Sequence, residues 1–393
     1  MSLPQVRYHQ FLVSKELGGA GLVAFCLAQH LMSLGESAPV WLPRMGAAFD
    51  EARHLGLDAR TYNYEPATDS STLRAAWTSW RIRRALSRQG PGIVHVHSTE
   101  VYGALRWGLR ARGLKCIVHV HIQQDVDFLR WVFRLPPDLI ITCARSLVDG
   151  VRAALPLRAQ NRQWIEAVPN AIDLDRYSPG DRGRSKQSFG LAARPHLLML
   201  ANLAPHKGQE TAIRAVALLK QRGIDVSLSL AGTERGGATS YTTQLRGIVS
   251  GLAVADRVRF LGQRRDVPDL LRAADFLLLP STQEGLPLAV LEAQAAKVVV
   301  LAAPTAGIPD VVRDGRTGYL IAAADAEGYA ARITELIHDP AAYERIAADA
   351  YALVSTEHSQ TRFCSRVRDL YTELLSRDPA MAMRRATQPS GSP

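Results

Sequence analysis

The sequence predicts an α/β protein built from two Rossmann-like, doubly wound parallel-sheet domains facing across a cleft. Three observations predict it. Short, almost wholly apolar runs, such as FLLLP at 276–280 and VVVLAA at 298–303, alternate with helix-length amphipathic stretches. Strands covered on both faces read this way, and their alternation with helices marks βαβ units. The alternation also occurs twice. Finally, 393 residues exceed one ordinary core, and two domains of about 180 residues are the natural division.

In the first half the strand-like runs are Arg7–Val13, Ile93–His97, Cys116–Ile122, Leu139–Cys143 and Trp164–Val168. In the second half they are His196–Leu203, Val226–Ala231, Val258–Leu261, Phe276–Pro280 and Val298–Ala302. Between them lie helical stretches such as Glu210–Arg222, with Ile213, Val216 and Ala217 at helical spacing. Val168–Pro179 (VPNAIDLDRYSP) and the polar stretch Gly180–Ser188 are rich in the residues that punctuate structure and are expected to hold the boundary. The expected division is a domain over 1–175, a second over 176–376 and a disordered, polar tail over 377–393. In open α/β sheets, ligands bind at the carboxyl ends of the strands.

Composition narrows the partners. Hydrophobic content of 47% and charged content of 21% describe a folded chain. Charge, Gly or Pro interrupts every long apolar run, so no membrane-spanning helix is expected. The N-terminus lacks the pattern of a signal peptide, and the expected location is the cytoplasm, with a peripheral membrane contact left open. The net charge of +10 favours anionic partners. No nucleic-acid-binding signature accompanies it, so nucleic acid is not expected. Cys26, Cys116, Cys143 and Cys364 are too scattered for a zinc or redox pair and read as reduced packing residues.

The chemistry concentrates in Phe276–Ala296 (FLLLPSTQEGLPLAVLEAQAA). A buried strand ends at Pro280, a tight polar loop follows, and Pro287 suits the first turn of a helix. Gly285 lets the backbone approach a ligand closely. A helix start aimed at the cleft carries free N–H groups and partial positive charge, which suit a diphosphate. Glu284 lies in the loop and Glu292 about two turns into the helix, one for each end of a nucleotide sugar. The plain alternative is a pair of solvated carboxylates.

This Glu-x7-Glu pair, headed by EGLP, resembles the signature of the retaining glycosyltransferases of family 4, in the GT-B fold. The resemblance extends over most of the chain. Leu200–Gly208 (LANLAPHKG) resembles the family's phosphate-binding strand and loop, which implies that Lys207 neutralises the donor diphosphate and that Gly208 opens the next helix. Asn202 stands where many members carry Arg, and His206 or Arg264 is expected to compensate. Val258–Ala274 resembles the base-binding segment, with Gly262 through Arg265 as candidates, and Gly232 belongs to a Gly-rich loop over 231–237. The resemblance places the sugar donor on Ser281, Glu284, Gly285 and Leu286 and the ribose on Glu292. Ala306, Gly307 and Ile308 fall in the family's GGIPE run, where Asp310 replaces Glu, and Lys297 replaces a usual Gly.

In the first half, Leu17–Gly21 (LGGAG) is a Gly-rich turn between strand and helix, able to touch a phosphate or sugar through Gly18 and Gly19. It lacks the acidic partner of dinucleotide sites, which argues against a dehydrogenase. His95 with His97, and His119 with His121, alternate along strands, so each pair shares a sheet face. A catalytic metal would need partners at spacings not seen here, so no metal is expected. The resemblance implies that His121 contacts the transferred sugar; His97 is expected in the acceptor cleft, and a core role stands as the alternative for both. Asp125-Val-Asp127 and Asp173-Leu-Asp175 follow no apolar strand directly and are discounted as metal-diphosphate motifs. Asn170 (PNAID) resembles the family's interdomain turn. Ser70–Gln89 is basic and aromatic; it reads either as a helix docking on an anionic membrane or as an ordinary helix with Trp77 and Trp80 in the core.

The resemblance implies an acceptor-binding first domain and a nucleotide-sugar-binding second one. The expected reaction moves a sugar from a UDP- or GDP-sugar to the hydroxyl of a glycan, glycolipid or small molecule, with Glu284, His121 and Lys207 at the reacting centre and the donor as co-substrate. Cell-surface polysaccharide or glycolipid synthesis is the expected setting. A nucleotide-sugar 2-epimerase and a non-catalytic partner subunit are the alternatives.

Overall fold

Seven parallel strands form the first sheet of the computed structural model: β1 Arg7–Phe11, β2 Val40–Leu42, β3 Ala59–Thr61, β4 Gly92–Val96, β5 Leu114–Val120, β6 Leu139–Thr142 and β7 Ile165–Ala167. Six form the second: β8 His196–Leu200, β9 Ser227–Ala231, β10 Val258–Gly262, β11 Phe276–Leu279, β12 Val299–Ala302 and β13 Tyr319–Leu320. The structure describes residues 6–377 except 17, 67, 70, 112, 192–193 and 235–238. The tail over 378–393 that was expected to be disordered lies outside the described residues. All ten predicted runs contain strands. The other three, β2, β3 and β13, have only two or three residues each, too few to set up a period.

Strand order fixes where a ligand can bind. The first sheet runs β3-β2-β1-β4-β5-β6-β7 and the second β10-β9-β8-β11-β12-β13. In each, the connections lead one way from the first strand and then the other way, so the loops after β1 and β4, and those after β8 and β11, diverge. In open α/β sheets, ligands are expected at such switch points. The strands beside them are buried on both faces; every residue of β4, β11 and β12 is inaccessible.

The chain divides into two units, Met1–Pro169 with Thr361–Pro393, and Asn170–Gln360. The helix Gln360–Ser376 therefore leaves the second half of the sequence, where it was expected, and packs with the first sheet. Its apolar stripe supplies the reason. Phe363, Val367, Leu370, Tyr371 and Leu374 are buried, and they cover a sheet face that carries Tyr8, His95 and His119. Tyr371 stacks on Tyr8 at 5.2 Å and Phe363 on His119 at 6.4 Å. Cys364 of this helix meets Cys26 with sulfurs 3.6 Å apart. Within the second unit, Ile172 accepts a backbone bond from Gln360 and donates one to His358, which ties the two connecting segments together.

The Tyr371 hydroxyl sits 2.6 Å from His95 Nδ1 in a fully buried setting. Tyr371→Phe strands that nitrogen and should lower stability by about 1–3 kcal/mol in urea unfolding. An unchanged midpoint would mean that the contact contributes nothing.

Candidate active site

The loop after β8 ends in the short turn Pro205–Lys207, and Gly208, at φ +73°, starts the helix Gln209–Gln221. A Cβ at Gly208 would lie 2.1 Å from the Pro280 carbonyl oxygen, so only glycine lets this turn press against the end of β11. Thr282 N–H donates to the His206 carbonyl at 2.8 Å, which fastens the two loops. The outcome is an ion pair at the second switch point. Lys207 Nζ lies 2.7 Å from Glu284 Oε1, with side chains only 17% and 7% exposed. Two sites 77 residues apart are thus brought to one place.

The loop carrying Glu284 is held on three sides. The Gly285 carbonyl accepts from Gly307 N–H at 2.8 Å, the Ser281 carbonyl from Thr305 Oγ1 at 2.8 Å and the Leu286 carbonyl from Asn170 Nδ2 at 2.7 Å. Ala306, preceding Gly307, takes a left-handed φ of +47°, and Lys297 one of +56°, so both positions where glycine was expected keep a backbone that favours it. Asp310 lies exposed in the short helix Ile308–Val311. Among the described residues, the buried Ser281 Oγ and Gln209 Oε1 beside this loop have no hydrogen-bond partner.

Pro287 proves to be the N-cap of the helix Leu288–Ala295, one position earlier than expected, and Glu292 is its fifth residue, little more than one turn in. Neither glutamate is a solvated surface group; Glu292 is 7% and Glu284 5% exposed. Burial pushes the Glu292 carboxyl up to about 7, against the lowering effects of a hydrogen bond with Tyr177 and the charge of Arg176.

Beside this centre, the loops after β8, β9 and β10 are cinched together. Gly232, at φ +151°, passes so close to the Ala201 carbonyl that a Cβ would lie 1.9 Å away, and its N–H donates to the Gly262 carbonyl at 2.8 Å. Asn202 is exposed, with its carbonyl held by Gln209 Nε2 at 2.9 Å. Arg265 is exposed as well. Arg264 pairs with Asp266 in its own turn, Nε to Oδ1 at 2.8 Å. Residues 235–237 of the Gly-rich loop lie outside the described residues.

The first unit brings a second set together at its own switch point. Gly18 caps the helix Gly19–Ser33 with no side-chain bond and open space where a Cβ would project. His97 follows β4, its Nε2 2.9 Å from Gln10 Oε1 and its Nδ1 3.2 Å from His121 Nε2. His95, His97, His119 and His121 form an array, stacked at 4.1 and 3.9 Å along the strands and 5.4 Å apart across them. Burial pushes His95 and His121 down to about 3 and holds His97 and His119 well below the usual range, so all four are neutral at pH 7. His95, His97 and His119 have ring nitrogens within 4.8 Å of one another, a grouping that the sequence reading set aside. Both His97 nitrogens are hydrogen-bonded, whereas His95 Nε2 and both His119 nitrogens have no hydrogen-bond partner among the described residues. The two D-x-D runs have local roles. Asp125 caps the helix Val126–Val132, and Asp173 accepts from Arg176 N–H. Gln209, Tyr177, Gln10 and Tyr371 escaped the sequence reading, because single polar residues carry no periodic signal.

Comparison with known proteins bears on the family and the fold. A family model described as "Glycosyl transferases group 1" matches residues 181–353, and one described as "Glycosyltransferase Family 4" matches 17–176. The D-inositol 3-phosphate glycosyltransferase of Nocardia farcinica is 31% identical over 334 residues, 79% of this chain and 71% of that protein. The enzyme of the same name from Actinosynnema mirum is 34% identical over 212 residues, 52% of this chain; the chain spans about half of that relative's length, 49%. The structure of Anabaena Alr3699/HepE in complex with UDP-glucose superposes with a TM-score of 0.81 at 20% identity, over 94% of this chain and 100% of that one.

The shift of Glu292 makes a prediction with a definite sign. Its neutral form is favoured in the fold, so between the ordinary value of 4.5 and about 7 the folded state keeps a proton that the unfolded chain has lost. Stability should fall by about 3 kcal/mol as pH rises through that window, then level off. Glu292→Gln should abolish this component in denaturant titrations; a retained slope would assign it elsewhere.

Proposed function

The chain belongs to glycosyltransferase family 4, the group 1 glycosyl transferases, and from that footing we propose that it moves a sugar from a nucleotide-diphosphate donor to a hydroxyl acceptor with retention of anomeric configuration. The observation that carries this reading is the Lys207–Glu284 pair at the second unit's switch point. A lysine held by a carboxylate is poised for exchange. An arriving diphosphate, with its greater charge, takes over Lys207, and Glu284 is released to accept hydrogen bonds from the sugar hydroxyls.

As the glycosidic bond breaks, negative charge builds on the leaving phosphate and the sugar becomes oxocarbenium-like. Lys207 and the N–H groups of the Ser281–Gly285 loop stabilise that charge where it develops. The acceptor hydroxyl attacks from the same face. Glu292 receives the ribose hydroxyls at the other end of the donor, and the loops joined at Gly232 and Gly262 receive the base. His121, kept neutral by burial and bonded to His97, contacts the transferred sugar, with Gly18 and Gly19 on the acceptor side. The lysine supplies the cationic charge, so the mechanism has no obligatory cofactor; the nucleotide sugar is the co-substrate.

UDP- and GDP-sugars are the donor classes to distinguish, and the Anabaena structure with UDP-glucose favours testing uridine first. The acceptor is a glycan, glycolipid or small molecule. The names of the inositol 3-phosphate relatives point to phosphorylated acceptors, which suit a chain of 47 basic and 37 acidic residues. A glycolipid acceptor would place the enzyme in cell-surface polysaccharide or glycolipid assembly.

A thermal-shift screen tests the donor. The correct nucleotide sugar at one hundred to a thousand times its Kd should stabilise the fold by about 3–4 kcal/mol. Lys207→Ala and Glu284→Ala should each lower the transfer kcat/KM by about 10²–10³. Wild-type rates in both variants would overturn the assignment, and epimerised donor appearing without any acceptor would point to the 2-epimerase.

A further inference from the structure

The first unit carries a surface that the proposed transfer chemistry does not use. Helices Thr72–Ser87, Thr99–Leu109 and Val126–Val132 enclose a groove of about 810 Å³, lined by Trp80, Trp107, Phe128 and Trp131 together with Arg83 and Arg106. Two glycines build it. A Cβ at Gly108 would lie 2.3 Å from the Ser79 carbonyl oxygen, so the first two helices cross there in close backbone contact. A Cβ at Gly103 would lie 2.2 Å from the Trp131 ring, which needs that bare patch to settle on.

The helix Thr72–Ser87 buries Thr78, Ser79, Ile82 and Leu86, not its tryptophans. The sequence reading that placed Trp77 and Trp80 in the core is corrected: they are 56% and 57% exposed, Trp107 is 67% and Leu73 82%. With Trp131 at 37%, four of the chain's six tryptophans are solvent-facing on these three helices, and three of them line the groove. Three of them lie under guanidinium groups: Arg81 over Trp77 at 4.6 Å, Arg84 over Trp80 at 5.6 Å and Arg106 over Trp131 at 5.5 Å. The helix contains Arg74, Arg81, Arg83 and Arg84 and no acidic residue; Arg74 pairs with Asp69 at 2.6 Å, and Asp69 and Glu100 also line the groove, so Arg81, Arg83 and Arg84 supply the charge.

We propose that this face docks on an anionic phospholipid bilayer. The occupant follows from the chemistry. Indole rings have an apolar body and a polar N–H and settle at the boundary between headgroups and acyl chains, where neighbouring arginines meet lipid phosphates. A second copy of the chain is a poor occupant, because it would set one arginine row against another. Docking holds the enzyme at a surface where lipid-linked hydroxyls are presented. The surface is assigned without reference to donor or acceptor, so its test is separate from that of the transferase site.

The test is co-sedimentation of the full chain, without substrates, with vesicles of equal parts phosphatidylglycerol and phosphatidylcholine and with vesicles of phosphatidylcholine alone. The protein should pellet with the anionic vesicles, remain in solution with the neutral ones, and be released by high salt. Arg81→Glu/Arg84→Glu should lower the partition coefficient at least about tenfold, and Trp77→Ala/Trp107→Ala by a similar factor. All four positions lie on the surface, and unchanged circular dichroism and thermal transitions will show that the variants fold. Failure to bind anionic vesicles, equal binding to both compositions, or unaltered binding by both variants would overturn the proposal. So would a dimer, seen by ultracentrifugation without lipid, that the tryptophan variant dissociates.

Discussion

Lys207 reaches Glu284 only because residue 208 has no side chain. The Pro280 carbonyl occupies the space a Cβ would need, and that single clearance lets the loop after β8 close against the loop after β11. Strand order makes the contact matter. Connections diverge at that place in the sheet, and the pair stands where the two loops meet. A partly buried lysine and a buried carboxylate cost desolvation that their attraction only partly offsets, and under the proposed function an incoming diphosphate would supply the compensation. Ser281 Oγ and Gln209 Oε1 beside it likewise have no hydrogen-bond partner among the described residues.

The first unit follows a different constraint. Its sheet carries two histidines on each of two adjacent strands, all facing one side, and an exposed imidazole face would draw in water and titrate. The C-terminal helix covers that face with Phe363 and Tyr371. The same burial that anchors the helix keeps the imidazoles neutral. Packing and electrostatics are therefore one problem here. A chain that left this helix on the second unit would have lost the cover over His95 and His119.

Much of this was legible in the amino-acid order. Apolar runs buried on both faces mark β4, β5, β6, β8, β11 and β12 unambiguously, and the spacing from Glu284 to Glu292 identifies the loop-helix unit that carries them. Three features were not legible. The helix at 360–376 has an ordinary amphipathic stripe, and nothing in the stripe says which sheet it will cover. Which face of the helix Thr72–Ser87 is buried, and so whether Trp77 and Trp80 are exposed, is decided by packing defined only in three dimensions. The pairing of Arg264 with Asp266, two residues away, was the third, because only backbone conformation decides whether such neighbours pair.

The account depends on Lys207 exchanging a carboxylate for a diphosphate. Calorimetric titration of UDP into the wild type, Lys207→Met and Glu284→Gln tests that exchange directly. Loss of the lysine should weaken binding about a hundredfold, since a charge-assisted contact to the diphosphate disappears. Removing the carboxylate's charge frees the lysine, so Glu284→Gln should bind UDP as tightly as the wild type or more tightly. Equal weakening in both variants, or no change in either, would contradict the exchange and with it the placement of the diphosphate at this pair.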